Sequence, residues 1–186
     1  MDSIVINLFG EPCAGKSTMA MDITARLKRL GVNVEYISEF VKDKLYENND
    51  EVFKHQEYIF GKQSFKIGRV KNKVQVIVVD SPLILCAAYN NDKILGEEFN
   101  KTVLNVFNSY KNRNYFLSRR YNYEQNGRFQ NEQEAAKVRK EIIAKLDQYN
   151  IGYEEIVSSE SSCKYIVDKI MEEIKKWTVK DICILV

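Results

Sequence analysis

The chain has 186 residues, with 28 Lys and Arg against 26 Asp and Glu, for a formal net charge of +2. That length fits one domain, or one domain with a small lid, around a full core, and the well-mixed charge argues against a basic nucleic-acid tail or membrane patch. Cysteines at 13, 86, 163 and 183 form no C-x-x-C pair and His55 is the only histidine, which argues against zinc and disulfide frameworks; with no leader-like N-terminus and no bilayer-length apolar run, a soluble cytoplasmic protein is expected.

The apolar run Ile4 to Phe9 predicts a first strand, and Gly10 to Ser17 follow it directly as G-E-P-C-A-G-K-S. This is the phosphate-binding spacing G-x-x-x-x-G-K-[ST]: successive backbone N–H groups can wrap a polyphosphate, Lys16 can reach the β and γ oxygens, and the Ser17 hydroxyl can ligate Mg²⁺. Apolar residues at Met19, Ala20, Ile23, Leu27 and Leu30 predict a helix over 17–30, closed by Gly31, whose positive end points at the same anion. A second strand over 32–38 ends at Ser38-Glu39-Phe40, and helical patterns follow over 40–46 and 51–71.

The stretch V-Q-V-I-V-V-D over 74–80 is β-branched and continuously apolar, as a central parallel strand covered on both faces requires. Pro82 suits the first turn of a helix. Further helices are expected over 83–89 and 97–110, a fourth strand over 114–118, and then a basic loop from Arg119 to Arg128 containing Asn126-Gly127. A charged helix over 131–149, a short strand over 153–157 and a last helix from 158 to about 177 complete the pattern, with residues 179–186 read as an edge strand or a packed extension. Strands alternating with helices predict an α/β fold with a parallel sheet wrapped on both faces and ligands at its carboxyl edge.

Four segments converge on that edge. Asp80 can hold Mg²⁺ with Ser17 or orient an attacking group, or it can cap the helix at Pro82. Glu39 can accept the proton of an attacking hydroxyl, or complement the dipole of the helix after it. Arg119, Arg120 and Arg128 suit a lid over about 119–130 that grips phosphoryl oxygens, or a solvated basic turn. The aromatics Tyr46, Phe53, Tyr58, Phe60 and Phe65 can stack on a base or fill core, and Lys42, Lys54, Lys62, Lys66 and Arg69 can bind an acceptor phosphate or form a solvated face. Cys13 sits in the phosphate loop as a small residue or as a thiol sensitive to the helix end.

With these residues in view, the chain resembles small P-loop nucleoside and nucleotide kinases, most of all compact phage and bacterial P-loop proteins related to NadR-type nicotinamide riboside kinase domains. The resemblance rests on G-E-P-C-A-G-K-S-T at 10–18, I-S-E-F-V-K-D at 37–43, V-V-D-S-P-L at 78–83, and Phe116-Leu-Ser-Arg-Arg through Gly127-Arg128-Phe-Gln. It implies a five-stranded parallel sheet of order 2-3-1-4-5 with a lid after strand four, ATP and Mg²⁺ as donor and metal, and a small nucleoside or nucleoside monophosphate as acceptor. On that resemblance the nucleotide is held by Gly10, Glu11, Pro12, Cys13, Ala14, Gly15, Lys16, Ser17 and Thr18. Ser17 and Asp80 fall at metal positions, and Lys16, Glu39, Asp80, Arg120 and Arg128 at catalytic ones. The D-G-F-P-R, D-R-[YF] and E-R-S motifs of other kinases in this group are absent from the sequence. Nicotinamide riboside or a modified DNA base stays open as acceptor, as does an acceptor-independent nucleotide-hydrolysing switch.

Overall fold

A computed structural model describes residues 2–47, 50–119 and 132–183. Its centre is β1 (Ile4–Phe9), in which every residue is buried. Alternate side chains leave a strand on opposite faces, so Ile4, Ile6 and Leu8 enter one core while Val5 and Phe9 enter the other. The chain then runs through α1 (Lys16–Arg29), β2 (Val34–Ile37), α2 (Val41–Tyr46), a 3₁₀ helix (Asp50–Lys54), α3 (Gln56–Gly68) and β3 (Val76–Val79). It continues through α4 (Leu85–Tyr89), α5 (Gly96–Asn108), β4 (Lys111–Ser118), α6 (Glu132–Gln148), β5 (Glu154–Val157) and α7 (Glu160–Cys183).

The five strands form one all-parallel sheet in the order β2-β3-β1-β4-β5. Helix α1 buries Met19, Ala20, Ile23 and Leu27 on one face of it, beside Cys163, Ile166 and Ile170 of α7. The opposite face is covered by residues of α3 to α6, including Ile67, Val103, Phe107, Ile142 and Leu146. A fully buried Ile or Leu contributes on the order of 1.5–3 kcal/mol, so β1 and β3, buried on both faces, anchor the fold. Crossing from β1 to β2 on one side and to β4 on the other puts a crevice at the carboxyl end of β1, where the phosphate loop emerges.

Three boundaries differ from the sequence reading. The single helix expected over 51–71 is broken at His55, whose φ of −106° and ψ of 72° are not helical; burying Val52 holds the 3₁₀ helix on the core while Gln56 Nε2 donates back to the Phe53 carbonyl at 2.9 Å. Strand β4 begins at Lys111 rather than 114, because the buried amide of Asn7 donates to the side chains of both Asn112 (2.8 Å) and Asn114 (2.9 Å) and makes a polar start compatible with a central sheet. Residues 179–183 are helical rather than an edge strand, as α7 runs on to Cys183, and 184–186 lie outside the described residues.

Candidate functional site

The phosphate loop leaves β1 at Gly10 and enters α1 at Lys16, with left-handed or extended-positive backbone at Gly10 (φ 145°), Cys13 (φ 65°) and Gly15 (φ 84°). At the two glycines there is no room for a side chain. A Cβ at Gly10 would meet Leu117 O and Ala14 Cβ at 2.9 Å, and one at Gly15 would come within 2.3 Å of Ser158 Oγ. The loop is therefore pressed against the carboxyl end of β4 on one side and the start of the β5–α7 connection on the other. Cys13 takes the left-handed conformation without glycine's freedom, a cost of the kind found at ligand-binding loops. Lys16 lies along the loop, its Nζ donating to the Gly10 and Glu11 carbonyls at 2.9 and 3.0 Å.

Seven of the nine expected loop residues, Gly10, Pro12, Cys13, Gly15, Lys16, Ser17 and Thr18, line a cavity of about 510 Å³. Ala14 is instead packed in the core, and the Glu11 side chain turns away, buried against two arginines. Glu39, two residues before α2, lines the same cavity, with Lys42, Phe53, Gln56, Ile59, Leu85 and Tyr89. The cavity thus joins a polyphosphate cradle to a pocket whose walls mix apolar and aromatic side chains with polar ones, Glu39, Lys42, Gln56, Ser81 and Asn91.

Asp80 stands at the end of β3 and is 1% exposed. Its Oδ2 accepts from the Tyr36 hydroxyl at 3.0 Å, while its buried Oδ1 makes no hydrogen bond. It does not cap the following helix: α4 begins at Leu85 and has no side-chain cap. A buried carboxylate oxygen without a hydrogen bond is of the donor type a hard cation takes, so Ser17 and Asp80 could hold Mg²⁺, although Ser17 lines the cavity and Asp80 does not. Among the described residues no cluster of three His, Cys, Asp or Glu could form an all-protein metal cage. Burial and then Asp80 push the Tyr36 phenol well above its usual range, so it stays a donor to that carboxylate. Burial alone drives the Cys86 thiol, on the cavity wall, to about 12, which leaves it unreactive.

Other expected residues disperse. Arg119 is described and pairs with Glu11, whereas Arg120, Arg128 and the rest of the expected lid lie outside the described residues. Of the aromatic set, Phe53 reaches the cavity; Tyr58 and Phe65 are exposed, Phe60 packs edge-on against Phe99, and the Tyr46 side chain lies outside the described residues. Lys42 lines the cavity, while Lys54 pairs with Glu51, Lys62 sits over Tyr58 and Lys66 donates to Ser38. His55 faces Glu57. The sequence reading passed over Arg139 on α6, although it shares a helix face with Val138, Ile142 and Leu146. A charge interrupting an apolar stripe was the available signal. Tyr36, whose hydroxyl donates to Asp80, carries no signal in the sequence beyond its place on one face of the second strand.

Sheet order 2-3-1-4-5, a phosphate loop after β1 and a carboxylate at the end of β3 define a small P-loop protein of nucleotide-kinase-like fold. The chain belongs to the AAA domain family, whose sequence profile matches residues 5–161. Solved structures with this fold include thymidylate kinase from Ehrlichia chaffeensis (TM-score 0.60, 16% identity, covering 94% of this chain and 100% of that one). Deoxyadenosine kinase from M. mycoides with bound dCTP is similar at TM-score 0.52 and 20% identity, covering 92% of this chain and 99% of that one. APS kinase from Mycobacterium tuberculosis in complex with AMPPNP and APS is similar at TM-score 0.51 and 13% identity, covering 92% and 98%. No curated protein matches the chain by sequence. Identities this low carry the fold and not the substrate. Among the described residues no helix is long and apolar enough to cross a membrane.

Proposed function

We propose that this protein is a cytoplasmic kinase that transfers the γ-phosphoryl group of ATP, with Mg²⁺, to a hydroxyl of a small nucleoside or nucleoside monophosphate. The observation that carries this reading is that Glu39 and the phosphate loop line one cavity, whose walls also include Phe53, Ile59 and Leu85. Such walls suit a flat ring, and a carboxylate in the same cavity suits a hydroxyl nucleophile.

In this reading the acceptor oxygen bonds to the γ phosphorus as the bond to the ADP oxygen breaks, and Glu39 takes the hydroxyl proton. Lys16 leaves the Gly10 and Glu11 carbonyls for the β and γ oxygens, and the loop amides with the α1 N-terminus hold the charge that spreads over them. Ser17 and Asp80 would hold Mg²⁺, which neutralises the same oxygens when bound. Tyr36 keeps the Asp80 carboxylate in place through its 3.0 Å hydrogen bond. Arg120 and Arg128 are assigned to a lid over the transferring group, by their position in the basic segment after β4.

The test is transfer of label from γ-labelled ATP to nucleosides, nucleoside monophosphates, nicotinamide riboside and an oligonucleotide with a hydroxymethylated base. One labelled small-molecule product is the expected result. Label recovered only as inorganic phosphate, at a rate indifferent to every acceptor, would make the protein a nucleotide-hydrolysing switch instead.

A further inference from the structure

Of the cations that the sequence offers to an acceptor phosphate, Lys42, Lys54, Lys62, Lys66 and Arg69, the fold brings Lys42 alone to the cavity. Lys42 is the second residue of α2 and is half-buried. The other four do not line the cavity: Lys54 pairs with Glu51 at 2.8 Å, Lys62 lies over the Tyr58 ring, Lys66 donates to Ser38 and Arg69 is exposed. Lys44, further along α2, pairs with Glu47. Lys42 makes no ion pair or hydrogen bond with any described residue, Glu39 included.

A lysine ammonium is compact and strongly hydrated, and its ordinary place is a solvated surface. Half-burying it in a concave site with no carboxylate or carbonyl as partner costs hydration that the protein does not return. The charged residues that line the cavity are Lys16, Lys42 and Glu39. Lys16 belongs to the phosphate loop, where it donates to two carbonyls, and it serves the nucleoside triphosphate. With Lys16 given to the donor, the acceptor half of the cavity keeps one charge of each sign. An acceptor that meets both brings a hydroxyl for the Glu39 carboxylate and an anion for the Lys42 ammonium. A free nucleoside supplies the first and leaves Lys42 without a partner. Apolar walls such as Phe53, Ile59 and Leu85 focus the field of Lys42 on an incoming anion.

We infer that Lys42 binds a phosphate carried by the acceptor, which makes the acceptor a nucleoside monophosphate rather than a free nucleoside. The inference rests on the reading that the cavity beyond the phosphate loop takes a small acceptor. Lys42 is a specificity-determining residue: it decides which molecule is held, and the transfer step at Lys16 and Glu39 is unchanged. Because the contact is one charge-assisted pair, it separates two ligands that differ only by the phosphate, and salt weakens it.

The experiment is calorimetric titration of the full chain, saturated with Mg-ADP to fill the donor loop, with the ribo- and deoxyribonucleoside 5′-monophosphates and with their parent nucleosides. Wild type, Lys42→Met, Lys42→Gln and Lys42→Arg are compared, with melting temperatures and Mg-ADP affinity recorded alongside. The expected result is one monophosphate bound by wild type at least about tenfold tighter than its parent nucleoside. Lys42→Met and Lys42→Gln remove that preference and leave affinity for the nucleoside and for Mg-ADP unchanged, whereas Lys42→Arg keeps most of it. In wild type the preference shrinks between about 0.05 and about 0.3 M salt. Equal affinity of wild type for each monophosphate and its nucleoside overturns the inference. So does an equal loss of both ligands in the neutral variants, which is what a lysine that only shapes the pocket would give. A loss confined to Mg-ADP also overturns it, because Lys42 would then serve the donor. If a monophosphate binds through Lys42 but never takes label from γ-labelled ATP, the kinase reading fails and this one stands. If label passes to a nucleoside and the neutral variants behave as wild type, the kinase reading stands and this one fails. A wild-type chain that binds none of these compounds overturns both.

Discussion

Gly15 shows how tightly single residues are constrained at the loop. Its φ is 84°, and a Cβ there would lie 2.3 Å from Ser158 Oγ and 3.1 Å from Ser158 Cβ, so Gly15→Ala must shift either the loop or the β5–α7 connection. The expected outcome is loss of Mg-ATP binding together with a stability loss of about 1–3 kcal/mol, measured by calorimetry and by chemical unfolding. Full binding by Gly15→Ala would mean that the loop conformation is not the one described. The residues of this cradle were legible in the sequence because its chemistry imposes a spacing, and the places of Glu39 and Asp80 just past β2 and β3 followed from where those strands end. Arg139 and Tyr36 were not. Nothing in a linear pattern says that a helix arginine will cross to a loop more than a hundred residues away, or that a strand tyrosine will hold the carboxylate of the neighbouring strand.

Among the elements, β3 carries the clearest energetic expectation. Val76 to Val79 are buried on both faces, with Ile77 at 0% exposure, so Ile77→Ala removes packing that the surrounding strands cannot recover and is expected to cost about 2–5 kcal/mol. Ile94→Ala is the control: that side chain is 95% exposed, and its loss is expected to change stability by less than about 0.5 kcal/mol. Denaturant midpoints for the two variants check both values, and equal effects would contradict the layered core. Helix and strand identity was readable from periodicity for most elements, because burial on one face or two leaves a regular imprint. It failed where tertiary contacts override local pattern. The break at His55 depends on Val52 reaching the core, the early start of β4 on the Asn7 amide, and the length of α7 on no capping signal near 177.

For the whole molecule, the buried acids of highest pKa set an alkaline limit. Burial raises Tyr36 and Tyr115, the latter to about 12, with Asp80 adding to Tyr36. Burial also raises the Cys86 and Cys163 thiols to about 12. In the unfolded chain these groups deprotonate near their ordinary values of about 8.5 for thiols and about 10 for phenols. Across that interval the folded state holds more protons, so stability is fully present below about pH 8.5 and is lost as pH rises through the folded values. The melting temperature is expected to fall between about pH 8 and about pH 11, and Tyr115→Phe is expected to reduce the fall. An unchanged melting temperature over that range would contradict the burial of these groups. At this scale the alternation of elements gave a two-faced parallel sheet from residues alone, whereas the order of its strands followed from family resemblance, because nothing in a strand's own sequence names its neighbours.

The measurement that bears most directly on the proposed activity is the acceptor dependence of ADP release from Mg-ATP, run on wild type, Lys16→Ala and Glu39→Gln. The account expects one small acceptor to raise wild-type turnover far above the acceptor-free rate. Loss of Lys16 should remove at least about a hundredfold, through charge left unbalanced on the transferring group, and loss of the Glu39 carboxylate about a hundredfold or more, through the missing proton acceptor. Equal ADP release with and without every acceptor, unaffected by Glu39→Gln, would contradict phosphoryl transfer to a hydroxyl.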